Sequence, residues 1–191
     1  MLSFNLQLHI LFMFQKFFFL VIMYPNSNLY TLMKNPIEDF KDCMRQLATG
    51  VTVITTTKED GSKEAVTINT FTSLSLDPLL ILFSLKKSSF CYETFTKSKN
   101  FTVNILAEDQ SHISNMCTKP LLDKWADIKL VTNTDTDSPA LEGTTAYLEC
   151  ENYQSYDGGD HSIIIGKALN SFSFKNRKPL IYFRGKYLKT E

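Results

Sequence analysis

The sequence of 191 residues lacks most of the common nucleotide and hydrolase signatures. Its seven glycines form no GxGxxG dinucleotide fingerprint and no Walker A loop, and no GxSxG nucleophile motif occurs. Only His112 and His161 lie outside the first 32 residues, and they are far apart in sequence. We therefore predict no metal site.

The cysteine spacing and the net charge argue against a metal site, a redox dithiol and a nucleic-acid partner. The four cysteines are widely spaced and form no CxxC pair, which argues against a zinc site or a redox dithiol. We expect free, buried thiols in a reducing compartment, and hence a cytoplasmic protein. Twenty basic residues balance twenty acidic ones, so a broad positive field for nucleic acid is not expected.

The first 32 residues differ from the rest of the chain. They carry one charged side chain, Lys16, among runs of Phe and Leu. A signal peptide would need a basic start and a small-residue cleavage site, and both are missing. The best apolar window, 8–24, is shorter than a membrane span and contains Lys16. We favour a mis-assigned start codon, with a weak membrane anchor as the alternative, and place one domain at 33–191.

Beyond residue 33 the pattern is mostly β. Apolar spacing after Pro36 predicts a helix over 36–47, and a second helix is expected over 108–117. Runs rich in β-branched or apolar residues predict at least six strands with short turns, which favours an antiparallel barrel with flanking helices. The predicted strands are 51–57, 65–76, 79–85, 101–106, 145–156, 161–174 and 180–188.

Three segments outside the core pattern could bind a ligand. Residues 67–78 are dense in hydroxyls and amides, which suit a polar planar ligand or a polar edge strand. Residues 86–89, Lys-Lys-Ser-Ser, precede a short helical pattern, and free N–H groups and hydroxyls there could hold an anion or simply cap the helix. His161 follows a glycine turn at the start of a strand, where it could contact a ligand or only its own turn. The sequence of residues 48–55 predicts the end of a helix followed by a strand.

Taken in order, these segments resemble the flavin reductase family, the FMN-binding split barrels. The resemblance covers about residues 40–187. Its motifs are RQLATGVTVITT, TINTFTSLSLDP, FSLKKSS, FTVNIL, DKWADI, LEGTTAYLEC, GGDHSIIIG and PLIYFRGKY. The resemblance implies a six-stranded antiparallel split barrel that forms a homodimer.

The same resemblance implies which residues bind the flavin. The isoalloxazine ring would lie against Ala65, Val66, Thr67, Asn69 and Thr70. Ser84, Leu85 and Lys86 would flank it, Ser88 and Ser89 would hold the phosphate, and Asn104 would lie near the ribityl chain. Thr49, from the first motif, is the last of the residues implied to bind FMN. FAD is the alternative flavin. His161, as catalytic residue, and Arg184, Gly185 and Tyr187 would contact NADH or NADPH.

The activity implied is hydride transfer from NAD(P)H to flavin, with reduced flavin passed to a partner monooxygenase. A non-catalytic flavin carrier or a redox-sensing module on the same barrel is the alternative. His161 and the Arg184–Tyr187 segment favour turnover. The sequence does not separate NADH from NADPH, or FMN from FAD and riboflavin.

Overall fold

The computed structural model describes residues 35–120 and 124–189. The predictions made for residues 1–32 lie outside these ranges and stay predictions. Within the two ranges, no helix is long and apolar enough to cross a membrane.

The chain divides into two units, residues 1–44 and 45–191. The described part of the first unit is helix α1, Pro36–Met44. Asn35 caps it, because its side-chain oxygen accepts the backbone N–H of Ile37 at 3.0 Å. Proline at the first helical position suits this start. The helix ends at Met44, three residues before the predicted end at Leu47.

The second unit is built of antiparallel strands with short helices. The helices are α2, Tyr92–Lys97, α3, Ser111–Met116, and a 3₁₀ turn at Lys124–Ala126. The strands are β1 Thr49–Gly50, β2 Thr52–Thr57, β3 Lys63–Ile68, β4 Thr72–Leu76, β5 Leu79–Lys86, β6 Asn100–Ile105, β7 Ala146–Gly158, β8 His161–Ser173, β9 Ile181–Phe183 and β10 Lys186–Leu188.

Seven strands form one sheet in the order β3-β2-β6-β7-β8-β5-β4. The two edge strands, β3 and β4, are consecutive in the chain and are joined by only three residues, Asn69, Thr70 and Phe71. So short a link forces the two edges together, and the sheet curls into a barrel. A second sheet, β1-β9-β10, has three strands.

The prediction of a mostly β antiparallel barrel is confirmed, but the strand count of six is too low. The predicted strand 65–76 is broken by the link at Asn69–Phe71, and strand 180–188 by a tight turn at Arg184–Gly185. Both turn residues have positive φ, 49° and 80°, which closes a two-residue hairpin. A hydrophobic pattern does not show such breaks.

Two apolar clusters stabilise the unit. One includes Phe83, Phe95 and Phe101, all fully buried, and the other lies where Leu106 and Leu180 pack.

All four cysteines are free: Cys43 is exposed, and Cys91, Cys117 and Cys150 are buried. Burial raises the pKa of Cys117 to about 11 and that of Cys150 to about 12. These two thiols are therefore protonated at neutral pH.

Gly166 in β8 lies where the barrel interior is tightest. A Cβ built on it would come within 2.4 Å of the Phe101 ring and 3.1 Å of Ile81. The Phe101 ring is held edge-on against Phe83, with centroids 5.4 Å apart, so it has little room to move. A side chain at this position therefore overpacks the core.

We expect Gly166→Ala to lower the free energy of unfolding by about 1–3 kcal/mol, as overpacked cores do. Urea denaturation followed by circular dichroism measures this. Gly50→Ala is the matched control, because nothing lies within 4 Å of a Cβ there, and it should shift stability by less than about 0.5 kcal/mol. Equal stability of the two variants would contradict the packing described for Gly166.

Candidate functional site

A cavity of about 550 Å³ opens between β3 and β5. We call it the β3–β5 cavity. Its walls come from β3 and the link after it, from β5 and the turn after it, and from the first residue of β8. Its shape therefore depends on how these three parts are held together.

The β3 wall is fixed from behind by α3 and the residue after it. The Thr67 backbone N–H donates to the Cys117 carbonyl at 3.2 Å, and the Thr67 hydroxyl donates to the Ser114 carbonyl at 2.6 Å. Both bonds hold the strand at the point where it lines the cavity. Thr67 thus lies in the cavity wall with a fixed hydroxyl rather than a freely rotating one.

Thr70 connects the two walls. Its hydroxyl donates to the Ser84 carbonyl at 2.9 Å and accepts the Ser84 backbone N–H at 3.0 Å. One side chain therefore replaces a pair of strand-to-strand bonds between the link and β5. This arrangement fixes the width of the cavity next to both residues.

The turn after β5 carries the polar end of the cavity, with Ser88 and Ser89 in its wall. The Ser89 N–H donates to the Lys86 carbonyl at 2.9 Å. Helix α2 begins at Tyr92, so the two serines lie in a turn before the helix rather than in its first turn. The helix dipole then contributes less than expected, and hydroxyls, turn amides and Lys86 are the groups that can hold an anion.

The end of the β7–β8 hairpin lies against the same turn. The Lys87 N–H donates to the Asp160 carbonyl at 2.9 Å, and the Lys87 ammonium pairs with Asp157. The side-chain hydrogen bond between Lys87 and Asp157 lowers the pKa of Asp157 and raises the pKa of Lys87, so both are charged at neutral pH. The hairpin and the turn are thus held in one arrangement.

His161 opens β8 at the rim of the cavity, paired with Lys86 across the sheet. Its Nδ1 lies 2.7 Å from a carboxylate oxygen of Asp160. A carboxylate only accepts, so Nδ1 donates and Nε2 is left as the ring atom for a ligand. The same bond lowers the pKa of Asp160. The His161 side chain is 38% exposed, so a ligand can reach it.

The cavity brings together ten of the sixteen predicted site residues. From β3 and its link come Val66, Thr67, Asn69 and Thr70. From β5 and its turn come Ser84, Leu85, Lys86, Ser88 and Ser89, and β8 supplies His161.

Asn104 is not among the residues that line the cavity, and its place near the ribityl chain stays a prediction. The side chain is fully buried. Its amide donates to the Val53 carbonyl and the Thr55 hydroxyl at 3.1 and 3.0 Å, and its oxygen accepts the Leu141 N–H at 2.8 Å. These bonds tie β2 and β6 to the segment at Leu141, so Asn104 acts in the core.

Ala65 and Thr49 also lie outside the cavity wall. Ala65 is fully buried, and its carbonyl accepts the Lys124 ammonium at 3.2 Å. Thr49 pairs with Tyr182 in the small sheet, and its hydroxyl is buried with no hydrogen-bond partner among the described residues. On β3, the predicted residues that line the cavity therefore begin at Val66.

The predicted nicotinamide segment lies outside the cavity wall as well. Arg184 donates from Nε to the Gln46 side chain at 3.0 Å, and its guanidinium lies 5.0 Å from the Phe183 ring centroid. Gly185 completes the turn with it. The Tyr187 hydroxyl lies 2.8 Å from the Ser114 hydroxyl of α3. Tyr187 is thus linked to α3, which in turn holds Thr67 of the β3 wall.

Three residues of the wall were not predicted. Ile68, Phe90 and Thr118 all line the β3–β5 cavity. Ile68 was recoverable, because it lies between two predicted residues, Thr67 and Asn69. Phe90 follows the two serines, but its ring fits a core position equally well in sequence. Thr118 reaches the wall through a loop whose path no periodic pattern gives.

The described residues contain no group of three or more His, Cys, Asp or Glu side chains arranged to hold a metal ion. The polar groups in the cavity wall are hydroxyls, peptide groups, the Asn69 amide, lysine and one imidazole. Such a wall can orient a polar aromatic ring and an attached anion, and His161 lies where a second ring could approach.

The family model described as Flavin reductase like domain matches residues 44–191. The reductase component of a flavin-dependent trigonelline monooxygenase from Acinetobacter baylyi is 40% identical over 153 residues, 80% of this chain. This chain spans about half of that relative, 49% of its length. An FMN reductase (NADH) from Agrobacterium fabrum is 32% identical over 166 residues, which are 87% of this chain and 93% of that protein.

A solved structure has the same fold. It is the NADH:FAD oxidoreductase of Streptomyces globisporus, in complex with NAD and FAD fragments. Its TM-score to this chain is 0.77 at 25% identity, and the match covers 82% of this chain and 93% of the other.

Proposed function

Because the chain belongs to the flavin reductase-like domain family, we propose that it is an NAD(P)H-dependent flavin reductase that binds FMN in the β3–β5 cavity. The observation that carries this is the cavity itself. It places a hydroxyl-rich turn at one end, two strand walls along its length and His161 at its rim. Related proteins named as NADH-dependent FMN and FAD reductases support the same reaction.

The wall fits a flavin in shape and in chemistry. Ile68 and Leu85 offer apolar surface to a tricyclic ring, while the peptide groups of β3 can bond to its polar edge. Ser88, Ser89 and Lys86 would hold the phosphate of FMN, since hydroxyls and an ammonium suit an anion. Bound flavin supplies the hydride acceptor, and the protein's part is to hold it.

His161 would position the second ring. With Nδ1 bound to Asp160, Nε2 can contact the nicotinamide or its amide at the rim. Holding two rings at about 3–3.5 Å contributes most of the rate enhancement, because the reacting atoms no longer have to find each other. Arg184, Gly185 and Tyr187 stay predicted nicotinamide contacts.

The reduced flavin would pass to a partner monooxygenase, as the names of several relatives suggest.

We also propose a homodimer, because large apolar side chains are exposed on the β4–β5 hairpin, where Leu76 is 86% and Leu79 53% exposed. We propose a cytoplasmic location, which the four free thiols support.

The proposal predicts that purified protein binds FMN and oxidises NADH or NADPH only when a flavin is present. Absorbance at the nicotinamide band, followed with FMN, FAD and riboflavin in turn, measures the reaction. Flavin-binding without any nicotinamide oxidation would leave the carrier or sensor function as the explanation. A protein that neither binds flavin nor turns over would contradict both.

His161→Ala should slow flavin reduction roughly tenfold or more, because the nicotinamide loses its positioning contact. The FMN dissociation constant should change much less. His112→Ala is the matched control, since His112 is exposed on α3 outside the cavity wall, and it should behave as wild type. Single-turnover reduction and fluorescence titration separate the two effects. Unchanged NADH oxidation in His161→Ala would remove this residue from the mechanism.

Ser88→Ala should weaken FMN binding about tenfold, the size expected for one hydrogen bond to a charged group. Riboflavin, which has no phosphate, is the internal control and should bind the variant as it binds wild type. Fluorescence titration of both flavins gives the ratio of dissociation constants. An equal loss for the two flavins would mean that the Ser88 turn does not hold the phosphate.

A further inference from the structure

Helix α2 follows the turn at the polar end of the β3–β5 cavity, and its first residue is Tyr92. The Tyr92 backbone N–H donates to the Ser89 carbonyl at 3.1 Å, and the Ser89 N–H donates to the Lys86 carbonyl at 2.9 Å. The turn proposed to hold the flavin phosphate is therefore closed at its far end by Tyr92. A shift of the Ser88–Ser89 turn would move the backbone of Tyr92 with it.

The Tyr92 side chain extends from this turn to strand β8. Its hydroxyl lies 2.7 Å from the hydroxyl of Ser162, and its ring packs against the apolar cluster that includes Phe83 and Phe95. Ser162 is buried, with 6% of its surface exposed, and it directly follows His161. Tyr92 thus connects the phosphate end of the cavity to the strand that carries the imidazole at the rim.

Ser162 is a fixed attachment point for this contact. In the sheet it pairs with Leu85 of β5 on one side and with Asp157 of β7 on the other. The strand is therefore held in two ladders at this residue, and the same register places His161 opposite Lys86. A side chain bonded to Ser162 is consequently held at a constant distance from His161, which lies one residue away.

Burial distinguishes this contact from the other side-chain contact between the turn and the β7–β8 hairpin. Lys87 pairs with Asp157, but 39% of the Lys87 side chain and 77% of the Asp157 side chain are exposed. Exposed ion pairs contribute little, because water and salt screen them and two side chains lose freedom. Ser162 is buried, so loss of its bond to Tyr92 leaves a hydroxyl without its partner away from water, which costs more.

We propose that Tyr92 is a positioning residue for hydride transfer and acts through Ser162. The proposal rests on the proposed function: Tyr92 keeps the turn that binds the flavin phosphate in a constant position relative to His161, where the nicotinamide would lie. Tyr92 and Ser162 both lie outside the cavity wall, so their contact acts on geometry rather than on a ligand. Binding of the phosphate would then align the flavin ring for reaction, because a contact remote from the reacting atoms can raise the rate as well as the affinity.

The first expectation is that wild type reduces FMN faster than riboflavin when flavin and nicotinamide cofactor are both saturating, because only FMN is held by the turn. Tyr92→Phe keeps the ring that packs on the core and removes the hydroxyl. It should slow single-turnover reduction of FMN about three- to tenfold, the range for one lost hydrogen bond. Riboflavin reduction and FMN affinity should change less than about twofold. Anaerobic rapid mixing, followed at the flavin absorbance band, and fluorescence titration measure the two quantities.

Ser162→Ala removes the other half of the contact and should give the same loss for FMN. The double variant Tyr92→Phe/Ser162→Ala should be no slower than either single variant, because one interaction cannot be lost twice. Tyr153→Phe is the matched control, since Tyr153 lies on β7 with 52% of its surface exposed and outside the cavity wall. It should behave as wild type with both flavins.

Equal slowing of FMN and riboflavin in Tyr92→Phe would show that the hydroxyl only stabilises the fold, and would overturn the proposal. Unchanged FMN reduction, or a loss confined to FMN affinity, also contradicts it. Equal rates for the two flavins in wild type would refute the alignment by phosphate and leave the proposed function intact. A wild-type protein that binds no flavin or oxidises no nicotinamide cofactor contradicts the proposed function itself, and this proposal with it.

Discussion

The three-residue link between β3 and β4 is the constraint on which the rest of the structure depends. It joins the two edges of a seven-stranded sheet, and Thr70 within it bonds twice to Ser84 of β5. The barrel is therefore closed at the point where the cavity opens. A cavity wall that is held by its own sheet needs little rearrangement when a ligand arrives, which lowers the entropic cost of binding.

Around the site, the bonds that stabilise the fold also fix the positions of the polar groups. Thr67 is tied to α3, Lys87 to the β7–β8 hairpin and His161 to Asp160. Each bond uses one polar group to orient the next, and the wall is left with peptide groups, hydroxyls and one ring nitrogen. Such preorganised groups suit orientation of two cofactors, where geometry contributes more than acid–base chemistry.

Much of this arrangement could be predicted from the sequence, and the failures have physical causes. The polar residues after Val66 and the Ser88–Ser89 turn were singled out by their hydroxyls, but only the ordered family motifs favoured a ligand over a polar edge strand or a helix cap. The sequence does not show that Asn104 lies outside the cavity wall, because a buried amide satisfied by Val53, Thr55 and Leu141 has the same local sequence as one facing a ligand. Contacts made through loops, as at Thr118, depend on chain paths that no local pattern encodes.

The distribution of thiols has a practical consequence. Cys43 is exposed on α1, whereas the remaining three sulfur atoms are buried and two of them are held protonated by that burial. A maleimide dye or a nitroxide should thus attach at a single position of the folded protein, without mutagenesis. That position lies outside the unit that contains the barrel, so a reporter can be introduced with the β3–β5 cavity left chemically intact.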